Sequence, residues 1–223
     1  DPGMLPRRNY AIMQIRGNRS QSSRLWLYRQ LKDPYVRMAR RDGYRSRAAF
    51  KLMEIDDKFH LTENIKCAAD LGAAPGGWCQ VLSQRSSADT KIVASDLAIF
   101  DSVDKVEQIV GDFEDEDVKR RLTAALDQKA DLIVSDMAPS VIGHAATDHI
   151  RIMRLAEAAR LFAEEVLKPG GAFVVKVFRG GGEKAFLESL KKNFRTARFF
   201  KPESSRDASA EIYAVATGFA PCD

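Results

Sequence analysis

No stretch of the chain stays apolar for the roughly 18 residues that a membrane-crossing helix requires, and no apolar leader with a small-residue cleavage site opens it. Neither a membrane anchor nor secretion is therefore expected. Cysteine is scarce: Cys67, Cys79 and Cys222 are the only three in 223 residues, with no CxxC spacing, which argues against a disulfide framework and a zinc knuckle and fits a reducing compartment. Histidine is equally sparse. His60, His144 and His149 are scattered, and the interval between the last two does not place them on one helical face, so no metal site is expected. Repeats and low-complexity blocks are also missing. What remains is 45% hydrophobic and 30% charged, the balance of a globular chain with a substantial core.

Acidic residues are rare at the start. The first 51 residues hold thirteen Lys or Arg against three Asp, a local charge of +10, whereas the whole chain carries +4 and the remainder is therefore at −6. A basic segment on an acidic body suits a protein that holds phosphates with one end, so RNA or DNA contact is expected rather than a merely solvated tail. Residues 1–23, rich in Arg, Ser and Asn, read as a flexible basic arm; mitochondrial transit peptides share that composition. Residues 24–60 read as a helical extension packed on the main domain, because Ala48, Leu52, Ile55 and Phe59 fall on one face at helical spacing. Residues 61–223 form the main domain.

From Lys66 onward, short apolar runs alternate with helical stretches, the signature of a parallel sheet covered on both faces. Strands are expected near 66–71, 91–96, 107–111, 131–135, 171–178, 195–200 and 210–217. Between them, Ile152, Leu155, Ala159, Ala163 and Val166 mark an amphipathic helix that Pro169-Gly170-Gly171 ends. The last two strands lack a crossover helix and are expected to run antiparallel. The fold class is thus α/β, Rossmann-like, with seven mostly parallel strands and helices on both faces.

Chemistry concentrates at the strand ends. Asp70-Leu71-Gly72-Ala73-Ala74-Pro75-Gly76-Gly77-Trp78 runs from a strand through a glycine-rich loop into a helix, offering backbone amides to a carboxylate or phosphate. It is neither GxGxxG nor a P-loop, and a merely tight turn would look the same. Asp96, Asp112 and Asp136 each follow a strand, and in open α/β sheets ligands bind beyond the carboxyl ends of the strands. Asp96 lies roughly 20 residues past the loop, where a second-strand carboxylate accepts from ribose hydroxyls. Lys176 interrupts the apolar run Ala172-Phe173-Val174-Val175-Lys176-Val177-Phe178. An unpaired ammonium is costly there, which favours a functional role over an edge lysine reaching to solvent.

Together the blocks SSRLWLYRQLKDPYVRMARRDGYRSRAAFKL, DLGAAPGGW, SDMAPSVIG, LKPGGAFVVKVF and SSRDASAEIYAVATG resemble the FtsJ/RrmJ-type RNA 2'-O-ribose methyltransferases, from about Ser22 to Gly218. The resemblance implies an S-adenosylmethionine-dependent methyltransferase fold, with S-adenosylhomocysteine as product and no metal. It implies that Gly72, Ala73, Pro75, Gly76, Gly77 and Trp78 meet the methionine end of the cofactor. Asp96 with Leu97 would hold the ribose, Asp112 with Phe113 the adenine, and Asp136 would stand near the methyl group. Lys51, Asp136, Lys176 and Glu211 match the family's catalytic tetrad. Similarity to the bacterial group implies large-subunit (23S) ribosomal RNA, at a uridine of the peptidyl-transferase A loop. An anticodon-loop tRNA methyltransferase and a non-catalytic ribosome-assembly factor are the alternatives, and Ala74-Pro75 disfavours an NAD-dependent dehydrogenase.

Ribose methylation requires in-line alignment and the handling of one proton. A free lysine, with pKa ~10.4, is largely protonated at neutral pH; a second ammonium or desolvation lowers that value, and carboxylates raise it. Lys176 is therefore expected either as general base or as the cation that steers a developing alkoxide. Asp136 would orient it, and Lys51 and Glu211 would place the ribose. Arg40, Arg41, Arg45 and Arg47, which flank Lys51, together with Arg206, are the expected RNA phosphate contacts. A flipped or single-stranded nucleotide is the expected target. No obligate protein partner is expected, a monomer is assumed, and the expected location is the cytoplasm, with mitochondria as the alternative.

Overall fold

The computed structural model describes residues 32–139 and 144–221. The expected basic arm (1–23), the start of the extension (24–31), residues 140–143 of the SDMAPSVIG block and Cys222 lie outside the described residues. Within them, Asp33 caps helix α1 (Pro34–Asp42): its side chain accepts from Tyr35 N at 3.0 Å, Pro34 pre-sets the first turn, and Gly43 ends the helix in the left-handed region. Helix α2 (Ala48–Phe59) buries Ala49, Leu52 and Ile55. Ala48 and Phe59, assigned to that face from spacing, sit at its margin and are only partly buried.

Seven strands follow: β1 (Cys67–Leu71), β2 (Lys91–Asp96), β3 (Val106–Val110), β4 (Ala130–Ser135), β5 (Leu167–Phe178), β6 (Phe194–Phe200) and β7 (Glu211–Phe219). They form one sheet in the order β3-β2-β1-β4-β5-β7-β6. β1 to β5 pair in parallel, and β7 runs antiparallel to both its neighbours, β5 and β6. Both expectations, seven mostly parallel strands and an antiparallel final pair, are met. All five residues of β1 are buried, because a central parallel strand is covered on both faces; Asp70 is its one charged residue.

Helices α3 (Gly77–Arg85), α4 (Glu116–Leu126), α5 (Ala145–Val166) and α6 (Glu183–Asn193) complete the layers. One core cluster joins α4, α5 and α6 to the sheet, and a second joins α2 and α3 to its opposite face. Strand β5 starts four residues earlier than Pro169-Gly170-Gly171 suggested. Leu167 pairs with Ala130 across an irregularity in the β4–β5 register, so the Pro-Gly-Gly segment is absorbed into the strand. Sheet order reverses at β1 and β4, whose ends are tied together as Asp136 N donates to Leu71 O at 3.1 Å. That reversal is where an open α/β sheet leaves a crevice. Among the described residues no helix is long and apolar enough to cross a membrane.

Candidate active site

Beyond the carboxyl ends of β1 to β4 lies a cleft of about 410 Å³, lined in part by Gly72, Ala74, Asp96, Asp112, Phe113 and Asp136. That volume suits a small-molecule or cofactor site. Gly72, at φ 78°, lets the chain pass Met137 closely: a Cβ there would lie 2.7 Å from Met137 Cγ. Asp96 ties the two neighbouring loops together, its Oδ2 accepting from Ala74 N (2.9 Å) and its Oδ1 from Ala98 N (3.0 Å). Each oxygen keeps a further lone pair, enough for a pair of hydroxyls. Asp112 lies beside the buried Phe113 ring, which packs edge-on to Phe162 at 5.5 Å, and Leu97 stands exposed at the rim. An acid for a ribose diol and a polar edge next to an apolar wall fit an adenosyl group.

Other parts of the glycine loop lie elsewhere. Ala73 is buried with Cys79 and Ala94, Pro75 is exposed, and none of Ala73, Pro75, Gly76, Gly77 and Trp78 belongs to the cleft lining. Trp78 packs beside Tyr213 at 5.7 Å between ring centres and donates its indole N–H to Ala48 O at 2.7 Å. The loop passes along the edge of the cleft after Ala74, and Trp78 lies in the first turn of the helix that packs behind it. In exchange, Met137 and the α5 residues Arg151, Arg154 and Leu155 line the cleft. Helical periodicity advertises only a buried face, so it gave no sign of the two arginines.

The four tetrad residues form two ion pairs. Lys176, only 7% exposed on β5, donates to Asp136 O at 2.8 Å and lies 3.2 Å from Asp136 Oδ1. Lys51 Nζ lies 2.5 Å from Glu211 Oε1. Tyr213, fully buried, joins the pairs: its hydroxyl is 2.7 Å from Asp136 Oδ1 and 3.3 Å from Glu211 Oε1. Sequence reasoning had missed Tyr213. Its signal was the period of two in a strand, which puts it on the face of Glu211, and its cross-strand pairing with Lys176.

Burial works against ionisation of Asp136, yet Lys176 and Lys51, helped by the Tyr213 hydroxyl, hold this carboxyl below its ordinary range. Burial and the carboxylates of Asp136 and Glu211 push the Tyr213 phenol well above its own. Tyr213 is thus a fixed neutral donor.

A second cavity, of about 170 Å³, is lined by Arg47, Lys51, Arg206, Ser209 and Glu211. Asp33 draws its two arginines together, its Oδ2 accepting from Arg47 Nη1 and, at 3.3 Å, from Arg206 Nη2. Of the other arginines expected at RNA, Arg40 and Arg41 are exposed on the last turn of α1, where Arg41 pairs with Asp42 at 2.6 Å. Arg45 is engaged elsewhere, with the carbonyls of Pro75, Asp101 and Ser102. Asp136 borders the large cleft, and Lys51 and Glu211 border the small cavity. Tyr213 links the two, its hydroxyl reaching both Asp136 and Glu211. Among the described residues no group of three or more His, Cys, Asp or Glu is arranged to hold a metal ion.

A doubly wound sheet with a reversed β7, a cofactor-sized cleft at its switch point and a Lys-Asp-Lys-Glu cluster that reaches this cleft through Asp136 suit a methyltransferase. Residues 44–219 match the FtsJ-like methyltransferase model, and the chain belongs to that family. It is 51% identical over 216 residues to the ribosomal RNA large subunit methyltransferase E of Granulibacter bethesdensis, covering 97% of this chain and 93% of that one. The Azorhizobium caulinodans protein of the same name is 52% identical over 204 residues, covering 90% and 85%. Among solved structures, a ribosomal RNA methyltransferase from Plasmodium falciparum superposes with a TM-score of 0.71 at 32% identity, over 80% of this chain and 100% of that one.

Proposed function

We propose that the chain methylates a ribose 2'-hydroxyl of large-subunit ribosomal RNA with S-adenosylmethionine. The observation that carries this reading is the placement of the tetrad between a cleft suited to an adenosyl group and a small basic cavity suited to a nucleotide. When bound, S-adenosylmethionine supplies a methyl carbon made electrophilic by its sulfonium. Gly72 and Ala74 would bound the methionine end, Asp96 the ribose, and Asp112 with Phe113 the adenine. Lys176 is held by Asp136, donating to its carbonyl oxygen and pairing with its carboxylate, and its ammonium would steer the ribose oxygen as that oxygen gives up its hydroxyl proton to water and takes the methyl group. Lys51 and Glu211 hold the target ribose in line.

The relatives' shared name supports large-subunit ribosomal RNA as the substrate, and the family resemblance supports a uridine of the A loop. In this reading residues 24–60 are the RNA-binding extension and 61–223 the methyltransferase domain. The reading takes the protein to act as a monomer, in the cytoplasm where subunits assemble. Incubation with tritiated methyl donor and either large ribosomal subunits or bulk tRNA tests the substrate. Label is expected in 23S rRNA. Label confined to tRNA would transfer the activity to the anticodon-loop reading, and label in neither would point to an assembly factor.

A further inference from the structure

Two loops shape the cofactor side of the large cleft: the one after β1, through Gly72 and Ala74, and the one after β2, through Asp96 and Leu97. From within, the Asp96 carboxylate ties them together by accepting from Ala74 N and Ala98 N. From without, a second tie is made by Arg45, in the linker between α1 and α2. Its guanidinium donates to Pro75 O (3.3 Å) in the first loop and to Asp101 O (2.5 Å) and Ser102 O (2.8 Å) in the second. It also lies 6.0 Å from the centre of the Phe100 ring. Loop carbonyls have no ladder partner and need donors, and the planar fork of an arginine can serve several at once, which an ammonium does less well.

The surroundings are built to receive this side chain. Gly76 has φ 104°, and a Cβ there would lie 2.8 Å from Arg45 Nη1 and 3.0 Å from the Phe100 ring. A Cβ on Gly77 would overlap Ser46 Oγ. The two glycines thus allow the linker to lie on the outer face of the loop. A reciprocal clamp fixes the linker itself: Arg45 N donates to Gln80 Oε1 (2.9 Å), and Gln80 Nε2 donates to Gly43 O (3.0 Å). Three of the five guanidinium donors are therefore directed at the protein's own carbonyls.

We infer that Arg45 is a positioning residue for the cofactor cleft, holding the β1 and β2 loops in register from outside, and not a ligand of RNA phosphate. The inference rests on the cleft being the seat of the S-adenosyl group. The test is calorimetric titration of the whole protein with S-adenosylhomocysteine, for the wild type, Arg45→Ala and Arg45→Lys. It is joined by amide hydrogen exchange without ligand and by the salt dependence of binding to large-subunit rRNA. Arg45→Ala should weaken S-adenosylhomocysteine binding ten- to a hundredfold and speed exchange at Ala98 and Phe100, and Arg45→Lys should recover part of both. The salt slope for RNA should stay as in the wild type, since each lost phosphate contact would lower it by about one. Unchanged ligand affinity in Arg45→Ala, or a salt slope reduced by about one, overturns the inference. If Arg45→Ala does not fold, Arg45→Lys decides alone, a wild-type affinity and exchange pattern counting against it. Failure of the wild type to bind S-adenosylhomocysteine would instead remove the cofactor reading itself.

Discussion

Lys176 and Tyr213 are direct cross-strand partners on β5 and β7, and both polar ends reach the same carboxylate, that of Asp136, at 3.2 and 2.7 Å. Neighbouring antiparallel strands thus present a cation and a neutral donor to a single anion. Tyr213→Phe removes the donor and leaves the ring's packing in place. Single-turnover methylation should slow about tenfold, ~1.4 kcal/mol, in line with loss of one hydrogen bond to a charged group. Affinity for S-adenosylhomocysteine should be unchanged, because the hydroxyl lies between the cavities; calorimetry on the same variant checks that.

Lys51 and Glu211 are mostly buried and 2.5 Å apart, so they should act as one unit. Lys51→Ala and Glu211→Gln each leave one charge without its partner, and kcat/KM should fall strongly in both. The double variant should be no worse than the poorer single one. A double-mutant cycle on kcat/KM reads this directly, and strict additivity would show that the two residues work independently.

Arg47 and Arg206 share the Asp33 carboxylate at the mouth of the small cavity. If a phosphate of the substrate strand settles there, Arg47→Ala and Arg206→Ala should each weaken RNA binding and flatten the plot of log affinity against log salt by about one. Competition titrations between about 50 and 200 mM salt cover the informative range.

Asp70 is fully buried in β1, accepting from Cys79 Sγ at 3.1 Å through Oδ2, while its Oδ1 has no hydrogen-bond partner among the described residues. Burial, with the charges of Asp136 and Asp96 adding to it and the Cys79 contact opposing it, pushes this carboxyl up to about 7. The unfolded chain ionises Asp70 near pH 4. From there to pH 7 the folded state holds the extra proton, so the contribution of Asp70 to stability falls as pH rises and then levels off. Asp70→Asn should therefore gain on the wild type across that window, by up to ~4 kcal/mol above pH 7, with no difference below pH 4. Urea denaturation of both proteins at pH 4, 6 and 8 measures the gap.

What the sequence made legible was whatever broke a local pattern. Asp96, Asp112 and Asp136 stood out as acids ending apolar runs, and Lys176 as a charge inside one, and the structure places all of them at the cleft or beside it. Tyr213 did not stand out, because an aromatic residue in a strand reads as core and only cross-strand register gives it a polar task. Trp78 is legible only as part of the glycine-rich motif; its packing beside Tyr213 and its hydrogen bond to Ala48 O are three-dimensional events. Asp33 and Arg45 act through partners far along the chain, and no spacing rule connects such residues.

The most direct test asks which atom receives the methyl group. A 2'-O-methyl ribose cannot form the cyclic phosphate through which alkali cleaves RNA, so tritium transferred by this protein to large-subunit rRNA should survive alkaline hydrolysis in dinucleotides. The label should vanish with Lys176→Ala. Label recovered in mononucleotides would mean that a base is methylated and would contradict the assignment of Lys51, Asp136, Lys176 and Glu211 to a ribose oxygen.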